Sequence, residues 1–209
     1  IVVKDTIANA PASFLIEKGV FTSCKAKFGG AIYIYNNQQD CHFTIKRCTF
    51  ESNAADTSAT IVGESHLFGG SAIYLQTKTA QILRCTFRKN AGSGVKIFHE
   101  DNIDPPFDGS ESSSSSLKLN SKDEQSIQIK DCFFEADKFA SSSSLFYLRE
   151  GKKHFLINAI DCTFVGELPQ GSYHIDVNSI LNKKDKLKIK IEKCKFASDK
   201  KLALNSKLN

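Results

Sequence analysis

The sequence predicts an all-β fold, a coil of parallel strands, from three observations. One arrangement of residue types occurs six times, the apolar residues within each occurrence alternate, and a single extra residue breaks that alternation at the same place each time. The clearest occurrence is His42 to Asn53, HFTIKRCTFESN. Its second Phe aligns with Phe21, Phe50, Phe87, Phe134, Phe164 and Phe196, at intervals of about 30 residues with two longer excursions. Two places before each Phe stands Gly19, Cys48, Cys85, Cys132, Cys162 or Cys194. Three places before that stands Ile16, Ile45, Ile82, Ile129, Ala159 or Ile191.

In a strand, residues two apart face the same way, so Cys and Phe share a face, as do Phe43 and Ile45 or Ile127 and Ile129. The extra residue between Ile and Cys forces a corner. Each copy is therefore two short strands around a bend with their apolar side chains pointing inward. One such pair cannot bury that face, whereas copies in register bury it in continuous columns of Phe, Cys and Ile. A polar residue follows the Phe at Asn53, Asn90, Asp137, Glu167 and Asp199, with Cys24 in the first copy.

In chain order, Ile1 to Val3 reads as the last strand of a preceding coil, broken off by Ala8 to Pro11. The first copy leads into AKFGGAIYIY, a Gly pair suited to a tight bend followed by an alternating strand, Ala31 to Tyr35. After the second copy comes an excursion over Ala54 to Leu67, and the chain returns through FGGSAIYL, Phe68 to Leu75. The third copy ends in NAGSGVKIF. The repeat is then interrupted from His99 to Gln125, residues 99–125, by a Ser-rich segment with two prolines that reads as a surface loop and as a candidate for specific binding or a spacer. The last three copies pair with SLFYL, YHIDV and LALNS.

The 209 residues, 41% hydrophobic and 24% charged, thus read as one elongated body over residues 1–209. No apolar run is long enough to span a bilayer as a helix. The chain opens at Ile1 and contains no methionine, so it reads as a processed product or a segment of a longer chain. The net charge of +5 is carried by scattered lysines. In LKIKIEKCKF they alternate with apolar residues, the pattern of a strand's wet face, and no aromatic stacking motif joins them, so no nucleic acid is expected. Five of the seven cysteines hold one inward repeat position, which reads as a column of reduced, buried thiols; no CxxC or Cys/His spacing suggests zinc. His42, His66, His99, His154 and His174 share no repeat position. No cofactor and no metal are expected.

The stretch FTSCKAKFGGAIYI, Phe21 to Ile34, and FESN followed by FGGSAIYL resemble the FxxN and GGAI repeats of chlamydial polymorphic outer-membrane proteins. They also resemble related repeats in large surface proteins of ciliates and trichomonads. Phe50 to Asn53 and Phe87 to Asn90 match FxxN, and Phe21 to Cys24 departs at the Asn. Gly29 to Ile32 matches GGAI; Gly69, Gly70, Ala72 and Ile73 match with one extra residue. The likeness covers residues 14 to 98 well and the remainder only through its Cys and Phe positions. It implies a right-handed parallel β-helix, a solenoid of the pectin-lyase kind, extracellular or at a cell surface and used for adhesion or as a spacer. Handedness agrees with the general preference of parallel crossovers.

Chemistry on such a coil would sit outside. The residue before the Cys, at the bend, is Lys18, Arg47, Arg84, Asp131, Asp161 or Lys193. In register, Asp131 and Asp161 are neighbours flanked by Arg84 and Lys193. A carboxylate pair could serve a glycoside hydrolase, and carboxylates beside Arg84 could serve a polysaccharide lyase. The preferred reading is that these charges pair across the surface. A glycan-binding face through Tyr33, Tyr35 and Tyr74 would present exposed aromatics in a row. With no GxSxG, phosphate loop or Cys/His nucleophile pattern, the chain reads as a non-enzymatic structural or adhesive module. Its expected partners are proteins, either copies of itself or neighbouring coils at the open ends, with glycan as a further possibility and membrane only through other parts of the chain.

Overall fold

The computed structural model describes residues 1–3, 12–26, 29–36, 41–55, 72–77, 79–100, 125–136, 145–150, 155–168, 170, 172–181, 187–199 and 202–208. Among these every regular element is a β-strand, and all pairings are parallel. Numbered in chain order, one sheet holds β2 (Ala12–Glu17), β6 (Cys41–Lys46), β10 (Thr79–Leu83), β13 (Gln125–Lys130), β16 (Phe155–Ile160) and β19 (Leu187–Glu192). A second holds β3 (Val20–Thr22), β7 (Thr49–Glu51), β11 (Thr86–Arg88), β14 (Phe133–Glu135), β17 (Thr163–Val165) and β20 (Lys195–Phe196). The third holds β1 (Val2–Val3), β5 (Ile32–Asn36), β9 (Ile73–Thr77), β12 (Val95–Glu100), β15 (Leu145–Glu150), β18 (Ile175–Leu181) and β21 (Leu202–Leu208). A short pair, β4 (Lys25–Ala26) with β8 (Ala54–Ala55), continues as a bridge from Ala54 to Ala91.

Each repeat copy thus gives one strand to the first sheet, one to the second and one to the third, always in that order. The register is the one the repeat demands: Ile82 lies beside Ile45 and Ile129, and Phe87 beside Phe50 and Phe134. Strand β12 runs to Glu100 and β13 begins at Gln125, so His99, Glu100 and Gln125 belong to strands rather than to the loop read over 99–125. The remainder of that loop, most of the excursion after Ala55, and Ala8 to Pro11 lie outside the described residues.

The corner predicted before each Cys is a left-handed backbone position. Lys18, Arg47, Arg84, Asp131, Asp161 and Lys193 have φ of 57, 56, 54, 54, 53 and 52°. A side chain at such a φ costs about 1–2 kcal/mol, so something must hold it. Hydrogen bonds to the next copy do: the Arg47 amide donates to the Leu83 carbonyl at 2.9 Å and the Arg84 amide to Lys130 at 2.9 Å. One residue after the Cys, the Thr86 amide donates to Cys48 and the Thr163 amide to Cys132, each at 2.9 Å. The bends are therefore laddered like the strands. A second left-handed corner follows the Phe at Ser23, Ser52 and Lys89 (φ 53, 54 and 47°), with Gly166 at 94°. Gly29, φ 44°, leads into β5; a Cβ there would lie 2.0 Å from the Ile32 carbonyl oxygen, which explains why that bend carries glycine.

Inside, the six Phe rings form one column. Successive centroids from Phe21 to Phe196 are 4.9, 5.0, 4.7, 4.9 and 4.9 Å apart with ring planes within 8° of parallel. The spacing is that of neighbouring strands, about 4.8 Å, wider than face contact, so the rings lean into the offset arrangement that aromatic quadrupoles favour. Phe50, Phe87, Phe134 and Phe164 are fully buried, as are Cys48, Cys85, Cys132 and Cys162. Phe21, Cys194 and Phe196 are core positions that remain only partly buried, because they end their columns.

The Asn of FxxN is a stitch rather than a surface group. Asn53 is buried; its Oδ1 accepts the Cys24 amide at 3.0 Å and its Nδ2 donates to the Phe21 carbonyl at 3.0 Å. Asn90 repeats this one copy on, accepting the Asn53 amide at 3.0 Å and donating to Phe50 at 3.1 Å. The two side chains also join, Asn53 Nδ2 to Asn90 Oδ1 at 3.0 Å. Glu167 and Asp199, at the same place in the last two copies, are exposed and do not take the buried place, while Asp137 lies outside the described residues.

Replacing Phe134 by Ala should cost about 3–5 kcal/mol in urea unfolding, and the same change at half-buried Phe21 clearly less. Asn53→Ala leaves the Cys24 amide and the Phe21 carbonyl without their partner and should cost at least about 2 kcal/mol by the same measurement.

Candidate functional site

The bend row carries exposed ionisable side chains in all six copies. The left-handed corner turns each of these side chains away from the columns. Asp131 and Asp161 occupy successive copies, linked through the Asp131 amide, which donates to the Ile160 carbonyl at 3.1 Å, and both are exposed. Arg84 Nε lies 3.7 Å from Asp131 Oδ2, so the guanidinium sits on the neighbouring carboxylate. One copy earlier Arg47 Nη1 and Lys46 Nζ each stand 3.4 Å from Glu17, and beside the row Arg88 Nε is 3.6 Å from Glu135. Arg84 with Asp131 in the row, and Arg47 with Glu17 and Arg88 with Glu135 at its flank, thus set opposite charges on adjacent copies, each exposed pair worth a few tenths of a kcal/mol. No group of three or more metal-ligating side chains gathers among the described residues.

The tyrosines do not form the exposed aromatic row expected of a glycan-binding face. Tyr33, Tyr35 and Tyr74 are 7%, 3% and 2% exposed. They point away from Ile32, Ile34 and Ile73 on the other face of the third sheet, and both faces of β5 and β9 are buried. Alternation located these side chains correctly but could not report that the outer face is covered as well. Tyr33 and Tyr74 pack with ring centroids 5.4 Å apart, and the next position in their row is Lys96. Lys96 is 5% exposed, and burial pushes its ammonium pKa down to about 8.

The thiol column is likewise structural. All seven described cysteines are free. Each column thiol donates to the carbonyl two residues before it and to one in the preceding copy: Cys85 to Leu83 at 3.4 Å and Ile45 at 3.6 Å, Cys132 to Lys130 at 3.2 Å and Ile82 at 3.5 Å. Contact with Cys162 and Cys85, then burial, raises the Cys132 pKa, while the same contacts lower Cys85 and Cys162; burial raises Cys48, and raises Cys194 to about 11.

One residue that sequence reasoning set aside acquires a place. His174, just before β18, is fully buried, its ring 5.8 Å from Phe164 and 6.1 Å from Phe196. Because it belongs to no repeat position, no pattern signalled it. Burial lowers its pKa below the ordinary histidine value. The unfolded chain therefore binds a proton at His174 more readily than the folded one. Stability should be complete above about pH 6.5 and fall as the pH drops below it, levelling off beneath the folded pKa. Urea midpoints compared at pH 7.5 and 5.5 should show a larger acid loss for the unaltered chain than for His174→Gln.

Among the other sequence candidates, Lys18 and Lys193 are exposed at their bends, His42 Nδ1 lies 3.2 Å from Thr79 Oγ1, and His66 and His154 are outside the described residues. No helix among the described residues is long and apolar enough to cross a membrane. Family models, curated proteins and solved structures give no match to this chain.

Proposed function

We propose that residues 1–209 form one right-handed parallel β-helix of about six coils, and that it is a structural or adhesive module at a cell surface or outside the cell. Support for the winding comes from the fixed order in which the chain visits three parallel sheets, with bends hydrogen-bonded from copy to copy. Right-handedness follows from the twist of L-peptide strands in parallel crossovers.

The observation that carries the function is where the chemistry lies. Aromatic rings, thiols and the two asparagines are used inward, holding copy to copy. On the outside, Arg84 is paired with Asp131, Arg47 with Glu17 and Arg88 with Glu135. Such a body is rigid, long and chemically quiet, which suits a spacer or a display surface. The likeness of its FxxN and GGAI stretches to repeats of surface proteins points the same way.

The competing reading is a polysaccharide lyase or glycoside hydrolase using Asp131, Asp161 and Arg84, favoured by the adjacency of the two carboxylates. Against it, Arg84 is engaged with Asp131, and both carboxylates lie in the open. Assays of the purified chain on acidic and neutral glycans should give no turnover, and Asp131→Asn with Asp161→Asn should leave both that result and the unfolding midpoint unchanged within about 0.5 kcal/mol. Turnover that disappears in the Asn variants would overturn the proposal. Antibody labelling of intact cells tests the surface location.

A further inference from the structure

The column thiols repeat one geometry. Cys48, Cys85, Cys132 and Cys162 each hold their sulfur 3.2–3.4 Å from the carbonyl two residues earlier and 3.5–3.7 Å from one in the preceding copy. The Phe rings two residues on, nearly parallel and 4.7–5.0 Å apart, repeat by the same step. Successive sulfurs are therefore translated copies of one another at the strand spacing of about 4.8 Å. That step does not suit a disulfide, which needs Cβ atoms about 3.5–4.5 Å apart and sulfurs in bonding contact. It is close to twice a metal–thiolate bond of about 2.3 Å, the span of one ion held in line between two sulfurs.

We infer that the gap between Cys85 and Cys132 is a binding site for a soft, two-coordinate metal ion, Cu(I), held by the two thiolates. Uptake exchanges protons for metal: Cu(I) and two thiols give a bis-thiolate complex with one net negative charge and release two protons, and nothing is oxidised or reduced. Soft sulfur ligands favour this ion. Zinc, calcium and magnesium take four or more ligands, and no group of three or more ligating side chains gathers among the described residues.

Two observations favour this gap over the others in the column. The Cys85 amide points at Cys132 Sγ from 3.5 Å, a donor that favours thiolate over thiol. Cys85 and Cys132 are also 47 residues apart, the longest interval between neighbouring column thiols. A crosslink there closes the longest loop between successive copies, where closure entropy is greatest. The ion thus clips together the copies on either side of the interruption in the repeat. With the two thiols 1% and 2% exposed, water does not compete for it. The complex leaves a negative charge inside, spread over two polarizable sulfurs, and the Ile82 and Lys130 carbonyls give up the S–H they accept. Only an ion with strong bonds to sulfur offsets that cost. It enters when the copies part locally, so uptake is slow.

Oxygen-free titration of the folded, reduced chain with Cu(I) presented by a competing chelator tests this, read by native mass spectrometry and copper X-ray absorption. One ion should enter, slowly, with two sulfur neighbours and no nitrogen or oxygen. Cys85→Ser and Cys132→Ser should each weaken uptake more than about a hundredfold, since loss of an outer-shell partner alone costs about 10–100-fold. Cys24→Ser and Cys162→Ser should leave it nearly unchanged. Where a serine variant loses its strand signal in circular dichroism, thiol alkylation of the unaltered chain in sub-denaturing urea decides instead: copper should protect Cys85 and Cys132 more than Cys48 and Cys162. No uptake, a cluster of several ions, a third ligand, equal loss in Cys162→Ser, or equal protection of all four thiols would each overturn the assignment.

Discussion

Register between copies is the constraint on which the rest of this molecule depends. In a strand a slip of one residue exchanges its two faces, and here such a slip would drive Lys188 and Lys190, or Thr44 and Lys46, into the columns while expelling Ile and Phe. The register is held at three levels. Phe falls on Phe because the ring column tolerates no other offset, bend amides reach carbonyls of the next copy, and the asparagines clamp backbone groups of the preceding one. None of these is strong alone, and all fail together if any strand shifts.

The bends show how local strain is carried. Six non-glycine residues at φ near 55° each oppose their own side-chain sterics. They persist because the residue after each must be an inward-facing Cys, or Gly19 in the first copy, and the residue before must end a strand, so only a left-handed step turns the chain at that point. Once turned, the outward bend side chain is free of packing constraints. This explains why the position varies between Lys, Arg and Asp while the residue after it is Cys in five copies and Gly19 in the first. A position so unconstrained is where charge can be tuned without disturbing the fold, and the change from Arg84 to Asp131 along the row, which makes an ion pair, uses that freedom.

The regular part of the fold was legible in the sequence. Period-2 alternation, the single extra residue before each Cys and the recurrence of Phe located both strands of each copy and the corner between them, because burial on one face leaves no other arrangement for those residues. The candidate site was less so. The pairing of Arg84 with Asp131 was visible, since register follows from the repeat. The burial of Tyr33, Tyr35 and Tyr74 was not, because alternation says which way a side chain points and nothing about what lies over it. Nor was the inward role of Asn53 and Asn90, whose polarity suggests a surface until the backbone groups beside them are known to need partners.

What the order of residues settles, then, is everything that depends on near neighbours along the chain: strand, corner, and which face is apolar. Contacts between residues 10 to 32 apart belong to the folded state alone, for instance His174 leaning on Phe164 and Phe196, Asn53 reaching Phe21, and Lys96 buried beside Tyr74 in its row. The physical reason is that local periodicity is imposed by backbone geometry residue by residue. Burial and hydrogen-bond partnership are instead properties of the assembled copies, and exist only once distant segments lie at strand spacing.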